Sequence, residues 1–460
     1  MLTCAPAPEL RSVGATDDFF AHLRRAEFAR LDGNGQAYLD YTGSALYSER
    51  QIRAWYTLLE RSVFGNPHSE SAPSQASTLA IEEARERVLQ FLDAPADDYV
   101  VCFTANTSAA IKLVAESFPF CDNAALVLSA DNHNSMNGLR EFAARRGAPV
   151  TYLRLDQKLR LEDAEDRLER IAASGRKLFG FPAQSNFSGV KHPLSLVAFA
   201  QSLGFSVLLD AAAFVPTNRL SLRDTPVDYV ALSMYKIFGF PTGVGALVAR
   251  RDALACLDRP WFAGGTVEYA SVQNGSHLLR AHETGFEDGT PAFLDIAALA
   301  EGFDFIDDVG LPRINERVMK LTAELLDRLQ CTYLDNGSPA VTIYGPADLE
   351  ARGATVAFNI LGYNGRAIPY QDVERRAREA GVAVRGGCFC NPGASEAAFG
   401  FPAERAARCQ ATVGSKGFSV ERFASCLGSD FAVGAVRASP GLATSSDDID
   451  QLIKVVESYC

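Results

Sequence analysis

From Tyr99 to Ser233 the chain alternates short apolar runs with longer amphipathic stretches, and this alternation limits its fold more than any other feature. Tyr99–Thr104, Ala124–Ser129, Val150–Arg154, Leu178–Pro182, Val207–Asp210 and Tyr229–Ser233 are near-continuously apolar and predict strands. Between them, Ser108–Glu116, Leu139–Arg146, Leu161–Ser174 and Leu194–Leu203 have helical periodicity. A strand apolar on both sides needs cover on both sides, and helical crossovers make consecutive strands parallel. The expectation is an α/β fold built on a mostly parallel sheet between helices.

The flanks read differently. Residues 1–36 form a polar lead-in with an amphipathic helix near Phe19–Arg30. A short strand at Ala37–Asp40, a turn at Tyr41–Ala45 and a helix over Ser74–Leu92 follow. Past Thr290 two long helices are expected, at Pro291–Val309 and Leu311–Leu329. Strands are expected at Val341–Tyr344, Thr355–Leu361, Val382–Gly386 and Gly434–Ala438, with helices at Tyr370–Ala380 and Ser446–Ser458. We therefore divide the chain into residues 1–36, a large domain over 37–295 and a small α+β domain over 296–460. The segment Pro392–Asp430 is long for a loop and reads as a mobile helical cover over Cys390.

A formal charge of −12 on 460 residues argues against nucleic acid and anionic membranes, which reward clustered Lys and Arg. No apolar stretch reaches bilayer length, and Met1–Gly14 lacks the basic and apolar regions of a secretion signal. The ten cysteines show no disulfide-framework rhythm, so we expect reduced thiols and a cytoplasmic protein. Cys388-Phe-Cys390 is too short for a C-x-x-C redox pair, and no second pair supports a metal site.

Chemistry gathers where strands end. Asp210 closes one strand, and Lys236 follows the next in Ser233-Met-Tyr-Lys-Ile-Phe-Gly. A buried lysine forms a Schiff base with an aldehyde, and a carboxylate at a strand end holds a protonated pyridine nitrogen. Together they point to pyridoxal phosphate. Thr104-Ala-Asn-Thr-Ser-Ala-Ala110 joins a strand to a helix, so Thr107 and Ser108 are placed to hold a phosphate; the plainer reading is an N-cap. His133 is placed to stack on a cofactor ring and Asn186 to bond a phenolic oxygen; a satisfied loop histidine and an ordinary turn are their plainer readings. In open α/β sheets the ligand crevice lies beyond the carboxyl ends of the strands, and this convergence favours a site. Arg437, at the end of a later strand, suits a substrate carboxylate, while Arg385 reads as a carboxylate or ion-pair partner. Cys390 sits in a Gly-rich, Pro-flanked loop, a poor place for a core cysteine and a good one for a reactive thiolate, with Cys388 as the alternative thiol.

These residues, with Tyr38-Leu-Asp-Tyr-Thr-Gly43, Asn66-Pro-His-Ser69, Pro182-Ala-Gln-Ser-Asn-Phe-Ser-Gly189, Leu209-Asp-Ala-Ala-Ala-Phe214, Phe286-Glu-Asp-Gly-Thr290 and Arg385-Gly-Gly-Cys-Phe-Cys-Asn391, carry a resemblance. The chain resembles the class V, fold-type I pyridoxal-phosphate enzymes of the cysteine desulfurase group, in particular the N-terminal sulfurase domain of the molybdenum cofactor sulfurases. The likeness spans roughly residues 37–440. It implies a seven-stranded sheet. It assigns Lys236 to the Schiff base, Asp210 to the pyridine nitrogen, His133 to the ring face and Asn186 to the ring oxygen. Thr107, Ser108, Ser233 and Tyr235 would hold the phosphate, and Gly289 and Thr290 would reach the phosphate of a partner subunit in a homodimer. Arg437, with His68 and Arg385 nearby, would bind the substrate, and Cys390 would take sulfur from L-cysteine as a persulfide, releasing alanine. Asn106 stands where the family commonly has Gly, Ala213 where many desulfurases have Gln, and Tyr235 where the residue before the lysine is usually His. Since the sequence ends soon after Arg437, the expectation is that the C-terminal domain which binds the molybdenum cofactor in full-length sulfurases is missing.

The reaction expected is therefore cysteine desulfuration with sulfur passed to a carrier protein or cofactor, molybdenum cofactor among the candidates. Two competitors remain: a pyridoxal-phosphate C–S lyase, decarboxylase or epimerase of another amino acid, and an inactive scaffold or sulfur relay. Cys390 separates the first from the desulfurase, and the intact Lys236–Asp210 pair speaks against the second.

Overall fold

The computed structural model describes residues 16–415, 417–428 and 431–460. Seven strands form the large sheet: β1 (Tyr99–Thr104), β2 (Ala125–Ser129), β3 (Val150–Leu153), β4 (Lys177–Pro182), β5 (Phe205–Asp210), β6 (Tyr229–Ser233) and β7 (Gly245–Arg250). Their order is β1-β7-β6-β5-β4-β2-β3. β7 runs antiparallel to both its neighbours, and the other pairs are parallel. The sequence reading named six of these strands; β7 follows the glycine-rich turn after Lys236.

β2 and β6 are buried at every position, which explains their unbroken apolar runs. Two apolar clusters cover the sheet. One includes Phe179, Phe181, Val207 and Phe303; the other includes Ile111, Leu126, Leu178 and Tyr229. The helix Thr107–Ser117 leaves β1 and packs across β6 and β7, with its N-terminus at the carboxyl end of β6, where Thr107 N donates to Ser233 Oγ.

The C-terminal unit holds a four-stranded antiparallel sheet in the order Val341–Tyr344, Val356–Ile360, Ala435–Ala438, Arg385–Gly387. The helices Leu311–Gln330 and Ser446–Glu457 share a core with it. The strand expected over Val382–Gly386 is two: Val382–Ala383 pairs with Ala37–Tyr38 and Arg385–Gly387 joins the four-stranded sheet. Ala37–Tyr38, placed in the large domain from sequence, is thus sewn to the C-terminal unit, and Asp40 bridges to Ser439 beside it. The helix expected over Pro291–Val309 breaks into Phe293–Ala297 and Leu299–Val309.

The cover segment is helical: Pro392–Phe399, Ala403–Gly414 and Val420–Leu427. One expectation fails here. Cys409 and Cys426 form a disulfide joining the last two of these helices, with Cα atoms 5.6 Å apart, so the cysteines are not all reduced. The pairing has no motif in the sequence, because it depends on the antiparallel return of one helix against the other. Among the described residues no helix is long and apolar enough to cross a membrane. Met1–Gly14 and Asp430 lie outside the described residues.

Candidate active site

Register sets the site. Pro182 pairs with Asp210, Asp210 with Ala231, and both Ser233 and Thr104 with Gly245. The carboxyl ends of β1, β4, β5 and β6 therefore open on one edge. The cavity there, about 470 Å³, is lined by Thr107, Ser108, His133, Asn186, Asp210, Ser233, Tyr235 and Lys236. Eight of the ten residues expected to hold a cofactor thus meet in one place, and Gly289 and Thr290 do not line it.

On the phosphate side, Asn106 caps the helix Thr107–Ser117, its Oδ1 accepting from Ala109 N at 3.0 Å. The N-cap reading of this turn is thus correct for Asn106, and it leaves Thr107 and Ser108 on the cavity wall. Ser233 Oγ accepts from Thr107 N at 2.8 Å and lies 2.6 Å from Thr107 Oγ1. Gly245 is required beneath them. A Cβ there would stand 2.5 Å from Asn106 Cα and C, so only glycine lets β7 pass under the turn.

On the ring side, Asp210 is buried, with Oδ1 accepting from Ala212 N at 3.0 Å. Burial pushes the Lys236 ammonium below the usual lysine range; Arg437 and Arg385 push the same way, while Asp210 and Asp40 oppose. His133 is likewise held below the ordinary imidazole value, first by burial and then by Lys236 and Arg437, against Asp210. Its Nδ1 accepts from Ser135 N at 3.1 Å, so the neutral ring carries its proton on Nε2. Ser135 Oγ lies 3.0 Å from His133 Nδ1 and 2.5 Å from Ser108 Oγ, linking the ring side to the phosphate side.

The remaining candidates stand apart. Arg437 is buried behind the cavity, donating to Asp40 Oδ1 at 2.9 Å and Asn186 O at 3.0 Å. Its Nε has no hydrogen-bond partner among the described residues. Arg385, half exposed, is an ion-pair partner of the same carboxylate, at 2.6 Å from Asp40 Oδ2. Cys390 and Cys388 are exposed. Cys390 reaches the site through its backbone, its carbonyl accepting from Asn134 N at 2.7 Å. His68 lines a separate hollow with Glu70 and Arg280, and Thr290 another with Asp288 and Phe286. Gly289 adjoins Thr290, in a segment anchored by Glu287, which accepts two 2.8 Å bonds from Arg85 and one of 2.6 Å from Phe103 N. Sequence reasoning missed Ser135, Asn391 and the clamp function of Asp40, although Asp40 and Asn391 both lie in stretches that carry the resemblance.

The residues fit pyridoxal phosphate. A helix N-terminus with two hydroxyls suits its phosphate, a buried carboxylate its pyridine nitrogen, and an amine that burial holds below the usual lysine range its aldehyde. The aminotransferase class-V family model matches residues 37–452. The molybdenum cofactor sulfurase of Arabidopsis thaliana is 36% identical over 413 residues, 81% of this chain and 50% of its own length. The human one is 32% identical over 455 residues, 94% of this chain and 50% of its own. Among solved structures, an apo cysteine desulfurase from Thermococcus onnurineus NA1 matches with a TM-score of 0.76 at 25% identity, covering 95% of this chain and 97% of that one. A cysteine desulfurase from Escherichia coli has the same fold, with a TM-score of 0.76 at 23% identity over 97% of this chain and 99% of its own.

Fold and site together define a pyridoxal-phosphate-dependent enzyme. The chain belongs to the aminotransferase class-V family, and it spans about half the length of the curated relatives it matches.

Proposed function

We propose that this chain is a cysteine desulfurase that converts L-cysteine to L-alanine and holds the sulfur as a persulfide on Cys390 for an acceptor. The observation that carries the proposal is the meeting of a half-buried Lys236, the buried Asp210 and the Thr107–Ser108 helix end in one cavity, with the Cys390 backbone bonded to the residue after His133. The sulfurase and desulfurase names of the relatives support it.

Thr107, Ser108, Ser233 and Tyr235 hold the phosphate, Asp210 the pyridine nitrogen, Asn186 the ring oxygen, and His133 lies on the ring face. The bound cofactor supplies an electron sink for the charge left at the substrate Cα. Arg437 holds the substrate carboxylate through the edge that has no protein partner, and Arg385 keeps Asp40 from drawing Arg437 away. Lys236 Nζ, whose pKa burial lowers, takes the proton from Cα and returns it. The Cys390 thiolate attacks the substrate sulfur, forming the S–S bond as the Cβ–S bond breaks. The carbon skeleton leaves as alanine once protonated. Gly289, Thr290 and His68 serve the site of a second copy in a homodimer. The acceptor is a carrier protein or cofactor, molybdenum cofactor being one candidate.

The test is an ultraviolet–visible spectrum of purified protein with and without L-cysteine, alanine and persulfide being quantified. The visible cofactor band should vanish in Lys236→Ala. Cys390→Ala should keep the band and lose alanine formation by roughly a hundredfold or more. A band without alanine in the wild type would discard the desulfurase reading in favour of a lyase, decarboxylase or epimerase; a protein with no band would leave only an inactive relay.

A further inference from the structure

We infer that Asn391 is a positioning residue for Cys390, its buried amide tying the cysteine loop to the two strand-end loops that carry His133 and Asn186. The inference rests on Cys390 being the sulfur-accepting thiol.

Asn391 is fully buried beside an exposed cysteine. Its Nδ2 donates to Asp131 O at 2.6 Å and to Asn186 Oδ1 at 3.0 Å. Its Oδ1 accepts from Ala394 N at 3.2 Å, capping the helix Pro392–Phe399. Its backbone N donates to Cys388 O at 2.9 Å, closing a tight turn around Phe389 and Cys390. Both residues inside that turn have φ of +55°. Non-glycine residues in the left-handed region cost about 1 kcal/mol each and persist only where the surroundings over-determine them.

Here the surroundings do. Phe389 O accepts from Asn186 Nδ2 at 2.7 Å, and Cys390 O accepts from Asn134 N at 2.7 Å. Among the described residues, the hydrogen bonds that Phe389 O, Cys390 O and Asn391 Nδ2 make outside the cysteine loop thus all go to the loop after β2 or the loop after β4, the two that carry His133 and Asn186 on the cavity wall, while Arg437 lies over the Phe389 ring at 4.9 Å. Asn186 gives both ends of its amide to the cysteine loop, Nδ2 donating to Phe389 O and Oδ1 accepting from Asn391 Nδ2. Capping alone does not explain the residue. Ser and Asp cap as well as Asn, but neither supplies two donors to Asp131 O and Asn186 Oδ1. A sulfur atom must pass between a cofactor-bound substrate and a thiol held on a strained turn, and a misplacement of about 1 Å costs such a step on the order of a hundredfold.

Asn391→Ser keeps a capping oxygen and removes both donors. In holoenzyme we expect an unchanged visible cofactor band, an unchanged KM for cysteine and a kcat for alanine lowered at least tenfold. The rate at which iodoacetamide alkylates Cys390, followed by peptide mass spectrometry, should change at least threefold. Wild-type kcat and alkylation rate in the variant would overturn the inference, as would a loss of turnover matched by loss of bound cofactor. The unmodified protein gives a second measurement that survives a misfolded variant: the Asn134 amide should exchange its hydrogen slowly, and fast exchange would sink the idea. A wild type that forms no alanine would strike the desulfurase reading instead, while the alkylation and exchange arms still judge Asn391.

Discussion

Burial sets the protonation states here, residue by residue. Burial holds Lys236 below the usual lysine range and His133 below the ordinary imidazole value, because the cavity wall desolvates their charged forms. Asp131 shows the opposite outcome. It is completely buried, yet its carboxyl sits below the usual range because His192 Nε2, at 2.9 Å, Ser129 and Ser185 outweigh the desolvation that pushes it up. Its carbonyl receives Asn391, so this buried pair supports the floor of the cysteine turn. A carboxyl depressed in the folded state stabilises the fold above its ordinary value of 3.8, and that contribution is lost as the pH falls through the lowered native value. His192→Gln should therefore cost about 2–3 kcal/mol at pH 7 in chemical denaturation, a gap that narrows below pH 4. A gap independent of pH would mean that His192 acts through packing alone. Neither Asp131 nor Ser135 stands out in the sequence, because a single polar residue in a loop has no periodicity and its partners come from distant segments.

Among elements, those whose character is local were legible and those defined by a partner were not. The apolar runs of the large sheet marked six of its seven strands to within a residue or two, since strands buried on both faces leave an unbroken signature, and β7 went unmarked. Val382–Gly386 looks like one strand, but the backbone switches partners at Val384, and pairing leaves no mark on composition. The Cys409–Cys426 disulfide was missed for the same reason. The phosphate turn is a junction of elements, and it depends on Gly245 because β7 passes directly beneath Asn106. Gly245→Ala should push the turn outward at a cost of about 1–3 kcal/mol, weakening cofactor retention by roughly tenfold or more while far-ultraviolet dichroism stays unchanged. Unaltered cofactor affinity on dialysis would show that the turn tolerates the shift.

For the whole molecule, the N-terminal strand binds the two sheets into one working unit. Ala37–Tyr38 pairs with Val382–Ala383, and Asp40, just beyond, accepts from both Arg385 and Arg437. Arg437 of the C-terminal unit is thereby held on Asp40, near enough to Lys236 of the large sheet to lower its pKa. Thr290 and His68 line hollows away from the Lys236 cavity, and Tyr269, Val272 and Leu278, in the hairpin of Val267–Ala270 with His277–Leu279, and Trp261 just before it are largely exposed. Large exposed apolar side chains gathered in one segment mark an interaction surface. Sedimentation should therefore give twice the chain mass, and Tyr269→Glu with Leu278→Glu should shift the protein toward monomer and lower cofactor content. A wild-type monomer with full cofactor would end the homodimer proposal.

The sequence by itself determined the α/β class, the strand ends, and the lysine, carboxylate and hydroxyl residues that line the cavity. These depend on local periodicity and on side-chain chemistry at strand ends, both written along the chain. Only the tertiary structure decided which of those residues share a cavity, which arginine is buried on Asp40 and which stays half exposed, and how an exposed cysteine is held in a strained turn by a buried asparagine. Those outcomes rest on contacts between segments up to about 400 residues apart, such as Asp40 with Arg437. Such contacts arise from packing and hydrogen-bond satisfaction in the folded chain, which no local pattern encodes.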